Sequence, residues 1–320
     1  AWRRLSPCWT TRHADRVAGP LADPPVLSLE KLAALDLSIW LRSGQEAAER
    51  LGISQPNVSR RARHCLNLLE LQLCKDDEEW ELAGSPLGLE LLALEREVHH
   101  HARWQGYGPL RIEGTYWSGP LLLSPLPAGW VGGLHNTVGI ERPLRWLQQG
   151  VIDAWLAGGP DWPAADDPHL MVLPLCRMPV HAVVAPGHPL LRQLENGTPL
   201  NWDDLAAFPS LALPPGAYPK VEACLQELGL WNTPVRMSRY RHERWEGRSA
   251  EELTVAYATV LSEQVAPGLV RLPLQLPLES GEALVLRREW QHHPQTQALL
   301  ALLRQRLKPW AEQHPELVLC

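Results

Sequence analysis

Residues 54–64, SQPNVSRRARH, carry the densest set of side chains that could contact a nucleic acid. Residues 59–64 contain three arginines and no acidic residue, although the whole chain has a formal net charge of −6. Guanidinium groups bind phosphates and guanine edges, and an amide such as that of Asn57 binds adenine. Because the total charge is negative, any such contact must come from this local patch. The candidate DNA contacts are Ser54, Gln55, Pro56, Asn57, Ser59, Arg60, Arg61, Arg63 and His64.

A helix–turn–helix would position these side chains. Ala47 and Ala48 are small enough for two helices to cross closely, and Gly52 tolerates the positive φ that a tight turn needs. Ser54 is placed to cap the second helix with its hydroxyl, and we predict that this helix extends to Leu73. The alternative is an ordinary helical hairpin whose arginines are only solvated. The apolar residues predicted to face the core are Val58, Ala62, Cys65, Leu66, Leu69 and Leu73.

Two further amphipathic helices are predicted on either side of this motif. The first begins at Ser28 and has apolar residues at helical spacing, with Asp36 directed outward. The second covers residues 86–105 and begins with Pro86, which suits a first turn. Its stripe is too apolar for a helix that only links two domains, so we expect it to pair with its copy in a second chain. That stripe consists of Leu87, Leu91, Leu94 and Val98.

From residue 110 onward, short apolar segments alternate with amphipathic ones. This alternation predicts two α/β lobes with parallel sheets, joined by crossover segments, and such sheets bind ligands at their strand ends. The predicted elements include strands at 133–140, 170–176 and 180–186, and helices at 249–263 and 294–313.

The segment GTYWSGP, residues 114–120, lies between a predicted strand and a predicted helix. Free backbone N–H groups and hydroxyls at such a corner favour a carboxylate or a similar anion. Alternatively, Thr115 and Ser118 only cap the helix. We expect the opposing wall of the site to come from LALPPGAY, residues 211–218.

Other patterns point away from catalysis, metal binding and membranes. The six cysteines are scattered without a CxxC pair, which favours reduced thiols in a cytoplasmic protein. His99–His101 are predicted to be solvated, because consecutive helical residues point in different directions. No apolar run is long enough to span a bilayer, and residues 1–27 lack the apolar run of a secretory signal. No nucleophile or cofactor motif is present, so we expect neither an enzyme nor a cofactor.

Residues 47–73, AAERLGISQPNVSRRARHCLNLLELQL, resemble the winged helix–turn–helix of LysR-type transcriptional regulators. The resemblance continues through LRIEGTYWSGPLLLSPL at 110–126, GVIDAWLAGGP at 150–160 and MVLPLCRMPVHAVVAPGHPL at 171–190. The positions that match the motif of the family are Ala47, Ala48, Leu51, Ser54, Gln55, Pro56, Val58, Ser59 and Leu73.

The resemblance implies an α/β protein with an all-α N-terminal part. It would comprise a winged helix–turn–helix, a linker helix and a two-lobed, Rossmann-like effector-binding domain. The expected boundaries are a disordered leader at 1–27, a DNA-binding domain at 28–85, a linker helix at 86–107 and an effector-binding domain at 108–313. Within that domain, lobe I takes 108–186 and 291–313, and lobe II takes 187–290.

The function implied by this resemblance is sequence-specific regulation of transcription. The expected partners are double-stranded DNA with a dyad operator, a second or further copies in a homodimer or homotetramer, an unknown small-molecule effector, and RNA polymerase if the protein is an activator. The alternative is a small-molecule-binding protein of the periplasmic type, against which the helix–turn–helix counts. The expected effector contacts are Thr115, Tyr116, Trp117, Ser118, Leu213 and Pro214.

The expected wing departs from the family pattern. The family usually has basic residues there, whereas residues 75–82 of this chain read KDDEEWEL. Carboxylates repel phosphates, so we expect weak wing contacts and an affinity for DNA that is either weak or strongly dependent on salt. The acidic residues are Asp76, Asp77, Glu78, Glu79 and Glu81.

Overall fold

The computed structural model describes residues 27–76, 79–236, 239, 241, 253–265 and 267–320. The chain divides into two compact units. The first runs to Leu110 and includes Gln148–Val151, and the second consists of Arg111–Leu147 and Ile152–Cys320. Of the predicted leader, only Leu27 is among the described residues, and it is buried. In the described part of the chain, no helix has both the length and the apolarity needed to cross a membrane.

Three helices open the first unit: α1 (Leu29–Leu41), α2 (Gly44–Leu51) and α3 (Gln55–Leu68). Ala47 and Ala48 are buried, and Gly52 has a φ of +62°, so the predicted close crossing and tight turn are confirmed. The core between these helices includes Leu32, Leu35, Ile39, Val58 and Cys65.

The end of α3 differs from the prediction. This helix stops at Leu68 and not at Leu73, because Glu70 adopts a left-handed φ of +55° that a helix cannot contain. The chain then forms an antiparallel hairpin of β1 (Leu71–Asp76) and β2 (Glu79–Gly84). At the other end of α3, Ser54 occupies the N-cap position, but its hydroxyl makes no capping hydrogen bond.

Helix α4 (Pro86–Trp104) follows the hairpin and begins at Ser85, whose hydroxyl accepts the N–H of Gly88 at 3.0 Å. Asp36 on α1 was expected to point outward, but it is 1% exposed and pairs with Arg96 of α4 at 2.8 Å. A charge that meets a partner across two helices can lie in the core, which helical periodicity alone does not reveal.

The predicted solvated histidine run on α4 is wrong at two of its three positions. His99 and His100 are buried, and only His101 is exposed. The ring of His99 lies 3.2 Å from the carbonyl oxygen of Leu27, and burial lowers the pKa of His99 below its usual value. The indole N–H of Trp104 donates to His100 at 3.2 Å.

The second unit combines long central strands with short helices. Its strands are β3 (Leu110–Gly114), β4 (Trp130–Gly132), β5 (Ala154–Gly158), β6 (Leu170–Val184), β7 (Leu211–Ala212), β8 (Thr233–Pro234), β9 (Val255–Ala258), β10 (Val270–Arg287) and β11 (Val318–Leu319). Its helices are α5 (Gly119–Leu122), α6 (Glu141–Gln148), α7 (Pro189–Glu195), α8 (Trp202–Ala206), α9 (Pro219–Glu227), α10 (Val260–Val265) and α11 (Pro294–Gln313), with a 3₁₀ turn at Arg288–Trp290.

The main sheet has the strand order β11-β6-β10-β5-β3-β4. Strand β9 also pairs with β6, along His181–Val184 on the edge that faces away from β10. Strands β3 and β5 are parallel, whereas β10 runs antiparallel to both β5 and β6. The sheet is therefore mixed, which corrects the prediction of parallel sheets. The antiparallel pair of β6 and β10 makes the sheet mixed. Each of these strands passes from one lobe of the unit to the other.

Three local predictions in this unit are also corrected. Residues 133–140 form no strand, since His135 and Gly139 have positive φ angles that break an extended ladder. The strands expected at 170–176 and 180–186 are one strand, because Pro179 lies at a register shift where no ladder N–H is needed. In the helix expected at 249–263, residues 249–252 lie outside the described residues, and Val255–Ala258 is strand β9, which pairs with β6.

The buried pair between α1 and α4 gives a prediction about stability. Asp36→Ala would leave Arg96 as an uncompensated buried charge, so we expect it to lower the free energy of unfolding by about 3–5 kcal/mol. Glu30→Ala breaks an exposed pair with Arg61 and should cost about 0–1 kcal/mol. Urea denaturation followed by circular dichroism checks both values. Equal stability of the two variants would contradict a structural role for the buried pair.

Candidate functional site

The outward face of α3 presents an arginine with no competing partner. Arg60 lies opposite the buried Val58, Ala62 and Cys65 on the helix and is exposed. Within the described part of the chain it makes no side-chain hydrogen bond or ion pair. A guanidinium in this state keeps all of its N–H donors available for another molecule.

The flanks of α3 are occupied by contacts within the first unit. Arg61 is half-buried and pairs with Glu30 of α1 at 3.1 Å, and His64 lies 3.2 Å from the ammonium group of Lys31. Gln55 donates to the hydroxyl of Ser59 at 3.1 Å on the other flank. Among the residues predicted to contact DNA, Ser54, Gln55, Pro56, Arg60, Arg63 and His64 are exposed, and Asn57, Ser59 and Arg61 are half-buried.

The hairpin of β1 and β2, beside α3, presents less negative charge than its sequence indicates. Glu79 pairs at 2.7 Å with Arg42, whose side chain is 1% exposed, so this charge is neutralised from inside the unit. Lys75 lies over the ring of Trp80, 6.0 Å from its centroid. Glu81 is exposed, and Asp77 and Glu78 lie outside the described residues. Nothing in the local sequence indicated that Arg42 would turn inward, since its partner is 37 residues away.

The second unit contains a cavity of about 140 Å³ between its two lobes. The corner after β3 contributes Thr115 and Trp117, and β10 contributes Ser280 and Glu282. Leu213, Tyr218 and Trp231 add apolar and aromatic wall from the second lobe. The edge of the Trp117 ring meets Tyr218 with their centroids 6.0 Å apart.

The structure brings together some of the residues predicted to bind an effector. Thr115, Trp117 and Leu213 line the cavity. Tyr116 and Pro214 are half-buried and do not line it. Ser118 is fully buried behind the wall, where its hydroxyl donates to the carboxylate of Glu282 at 2.8 Å.

Glu282 provides the carboxyl group among the described residues that line this cavity, and the sequence did not indicate it. It is 4% exposed, and burial raises the pKa of its carboxyl group to about 8, although the hydrogen bond from Ser118 lowers the pKa in part. Its neighbour Gly281 allows β10 to approach β6, because a Cβ there would overlap the carbonyl oxygen of Cys176. Ser118 and Glu282 are 164 residues apart, so no local motif links them.

Comparison with known families and structures gives one consistent relationship. Residues 135–308, more than half of the chain, match the family model described as the LysR substrate binding domain. A full-length OxyR variant from Pseudomonas aeruginosa is 19% identical, with a TM-score of 0.51, and the match covers 88% of this chain and 94% of that one. A hydrogen-peroxide-bound OxyR variant from Corynebacterium glutamicum is 16% identical, with a TM-score of 0.50, covering 89% and 94%. None of the curated protein sequences compared with this chain matches it significantly.

The raised pKa of Glu282 gives a prediction about pH. In the unfolded chain this carboxyl group titrates near its usual pKa of 4.5, and in the folded chain near 8. The folded state therefore binds the proton more tightly, and wild-type stability falls as pH rises through this window. Glu282→Gln has no proton to lose there, so its thermal midpoint relative to wild type should rise between about pH 5 and about pH 9.

The matched control is Glu279→Gln on the same strand, where the side chain is 65% exposed. Its midpoint relative to wild type should be independent of pH in the same scans. A constant difference between Glu282→Gln and wild type across the range would contradict the raised pKa.

Proposed function

The chain belongs to the LysR family of transcriptional regulators, and on that premise we propose that it reads operator DNA with the outward face of α3. The observation that carries this proposal is the exposed Arg60, held on a helix whose opposite side is fixed in the core. A recognition helix of this kind enters the major groove and presents its polar face to base edges.

The contacts proposed within this interface divide by chemistry. Arg60 suits the acceptor edge of guanine, and Asn57 suits adenine. Arg61 and His64 lie on the flank shared with α1 and suit phosphate oxygens, which fix register and carry no sequence information. The remaining proposed contacts are Ser54, Gln55, Pro56, Ser59 and Arg63.

We also propose that the protein acts as a homodimer or a homotetramer through α4. Leu87, Leu91, Leu94 and Val98 form one stripe on this helix and are 63, 39, 59 and 64% exposed. An exposed apolar stripe of this length is stabilised by burial against a copy of itself. A symmetric pair presents two copies of α3, so the operator should have dyad symmetry.

The cavity in the second unit is the proposed effector site. A ligand that prefers one conformation of the protein raises the population of that conformation, and this is how an effector would change the binding of DNA. The proposal assigns the chain no catalytic step, places it in the cytoplasm and includes a contact with RNA polymerase if the protein is an activator.

The DNA interface is tested by replacing each of two neighbouring arginines with alanine. Arg60→Ala should weaken binding to a DNA site selected by the wild-type protein by about 1–3 kcal/mol, which is roughly 5- to 150-fold. Arg61→Ala is the matched control, because Arg61 already pairs with Glu30, and its loss should be smaller and similar for all sequences. Fluorescence anisotropy titrations measure both. Unchanged binding by Arg60→Ala together with a large loss by Arg61→Ala would reverse the assignment.

The self-association is tested on α4. Leu91→Asp with Leu94→Asp places two carboxylates in the exposed stripe, so sedimentation should show monomers where the wild type shows dimers or larger assemblies. Glu90→Lys is the control, because Glu90 is exposed on the same helix but lies to one side of the stripe. A double variant that sediments like the wild type would move the interface away from α4.

A further inference from the structure

We propose that the ligand of the cavity in the second unit is a small organic cation, with one ring or a similar apolar body, whose ammonium or guanidinium group pairs with Glu282. This inference rests on the proposed function only in taking the cavity as the effector site. It also replaces the organic acid that the sequence favoured at the Thr115–Ser118 corner.

The first reason is the charge of the cavity. Among the described residues that line it there is one carboxyl group, that of Glu282, and there is no lysine, arginine or histidine. Oε2 of Glu282 accepts the hydrogen bond from Ser118, and Oε1 has no donor in the described part of the chain. The ionised form of a carboxyl group at this position needs a cation or several donors, so a positively charged group of a ligand would stabilise the carboxylate of Glu282.

The second reason is that three serine hydroxyls near the cavity already donate hydrogen bonds within the chain. Ser118 donates to Glu282, Ser280 donates to the carbonyl oxygen of Gly159 at 3.1 Å, and Ser262 donates to the carbonyl oxygen of Thr259 at 3.1 Å. The hydroxyls of Tyr257 and Ser210 bond to each other. An anionic ligand would need several donors of this kind, and Glu282 offers it only the single O–H of its protonated form.

The corner after β3 does not supply an alternative anion site. Helix α5 has only four residues, which is too short for a useful dipole. The N–H of Gly119 donates to the carbonyl oxygen of Thr115 at 2.8 Å. The indole N–H of Trp231 in the lining has no acceptor in the described part of the chain, but a single neutral donor does not balance an anionic ligand. An ammonium or a guanidinium group brings several donors of its own to Glu282.

The third reason is the size and the lining of the cavity. Its volume of about 140 Å³ is close to that of an engineered cavity of about 150 Å³ that holds benzene. Trp117, Tyr218 and Trp231 provide aromatic wall, against which an apolar body packs and near which a cation is stabilised. The cavity therefore fits a compact apolar group that carries a single positive charge.

Binding of such a cation has a proton balance that can be measured. Because burial raises the pKa of Glu282 to about 8, the group holds a proton at neutral pH in the empty cavity. Pairing with a cation favours the carboxylate, so the proton passes to the buffer as the ligand binds. Cys176 across the strand pair, and Tyr218 and Tyr257 in the wall, have pKa values raised by burial and stay neutral.

The test uses three probes of nearly equal shape: benzylamine, benzyl alcohol and benzoate. Calorimetry on the full chain at about pH 7 should show benzylamine binding at least about tenfold more tightly than benzyl alcohol, and benzoate binding most weakly. Heats measured in two buffers of different ionisation enthalpy should show proton release with benzylamine only. Tightest binding by benzoate, equal binding of all three, or no binding by any would overturn the proposal.

Two variants distinguish the loss of pairing with Glu282 from a loss of the cavity as a whole. Glu282→Gln should weaken benzylamine binding at least about tenfold and leave benzyl alcohol binding almost unchanged, which also shows that the cavity is intact. Glu279→Gln should change neither. Unaltered benzylamine binding by Glu282→Gln would overturn the pairing, and if that variant does not fold, the ranking of probes on the wild type decides.

DNA binding measured on the same preparations distinguishes this inference from the proposed function. If DNA binds with the expected dependence on Arg60 but the probes rank differently, only the ligand class is wrong. If DNA is not bound at all, the proposed function fails, whatever the probes do.

Discussion

The second unit depends on one physical constraint, the antiparallel pairing of β6 with β10 over almost their whole lengths. These strands supply the sheet of one lobe with their Leu170–Met178 and Ser280–Arg287 ends, and they join the other lobe near Val184 and Val270. The pair has three register shifts, between Arg271 and Gln275, between Gln275 and Glu279, and between Glu282 and Ala283. The cavity lies between the two lobes, and the ladder holds the Glu282 carboxyl group in its wall.

The two candidate sites, the outward face of α3 and the cavity of the second unit, each contain a charged or ionisable group without an ion-pair partner in the described part of the chain. In the first unit, three carboxylates are paired within the chain: Asp36 with Arg96, Glu79 with Arg42 and Glu30 with Arg61. Arg60 on α3 and Glu282 in the cavity are the exceptions that matter here, one exposed and one buried. An exposed guanidinium can bind a polyanion at little desolvation cost. A buried carboxyl group is stable only when it is protonated or paired with a cation. The two sites therefore differ in their expected dependence on salt and pH.

Local patterns in the sequence predicted the helix–turn–helix of the first unit, but not the burial of Asp36, His99 and His100. Small residues at Ala47 and Ala48 and a glycine at Gly52 require a close crossing and a turn whatever lies elsewhere, and the structure has both. The second unit was less predictable, because its pairing is between remote segments. Residues 255–258 are apolar enough for a helix or a strand, and only the edge of β6 decides between them. Glu282 was missed for the same reason, since its burial and its hydrogen bond depend on residues more than 100 positions away.

We propose that this chain binds specific DNA as a symmetric assembly of its helix–turn–helix units. The most direct measurement is selection of bound sites from randomised double-stranded DNA by the full chain, followed by sequencing of the enriched pool. We expect one enriched sequence with dyad symmetry, whose half-sites lie about 10 base pairs apart or a multiple of that. An enriched single half-site without symmetry, or a pool with no enriched sequence, would contradict it.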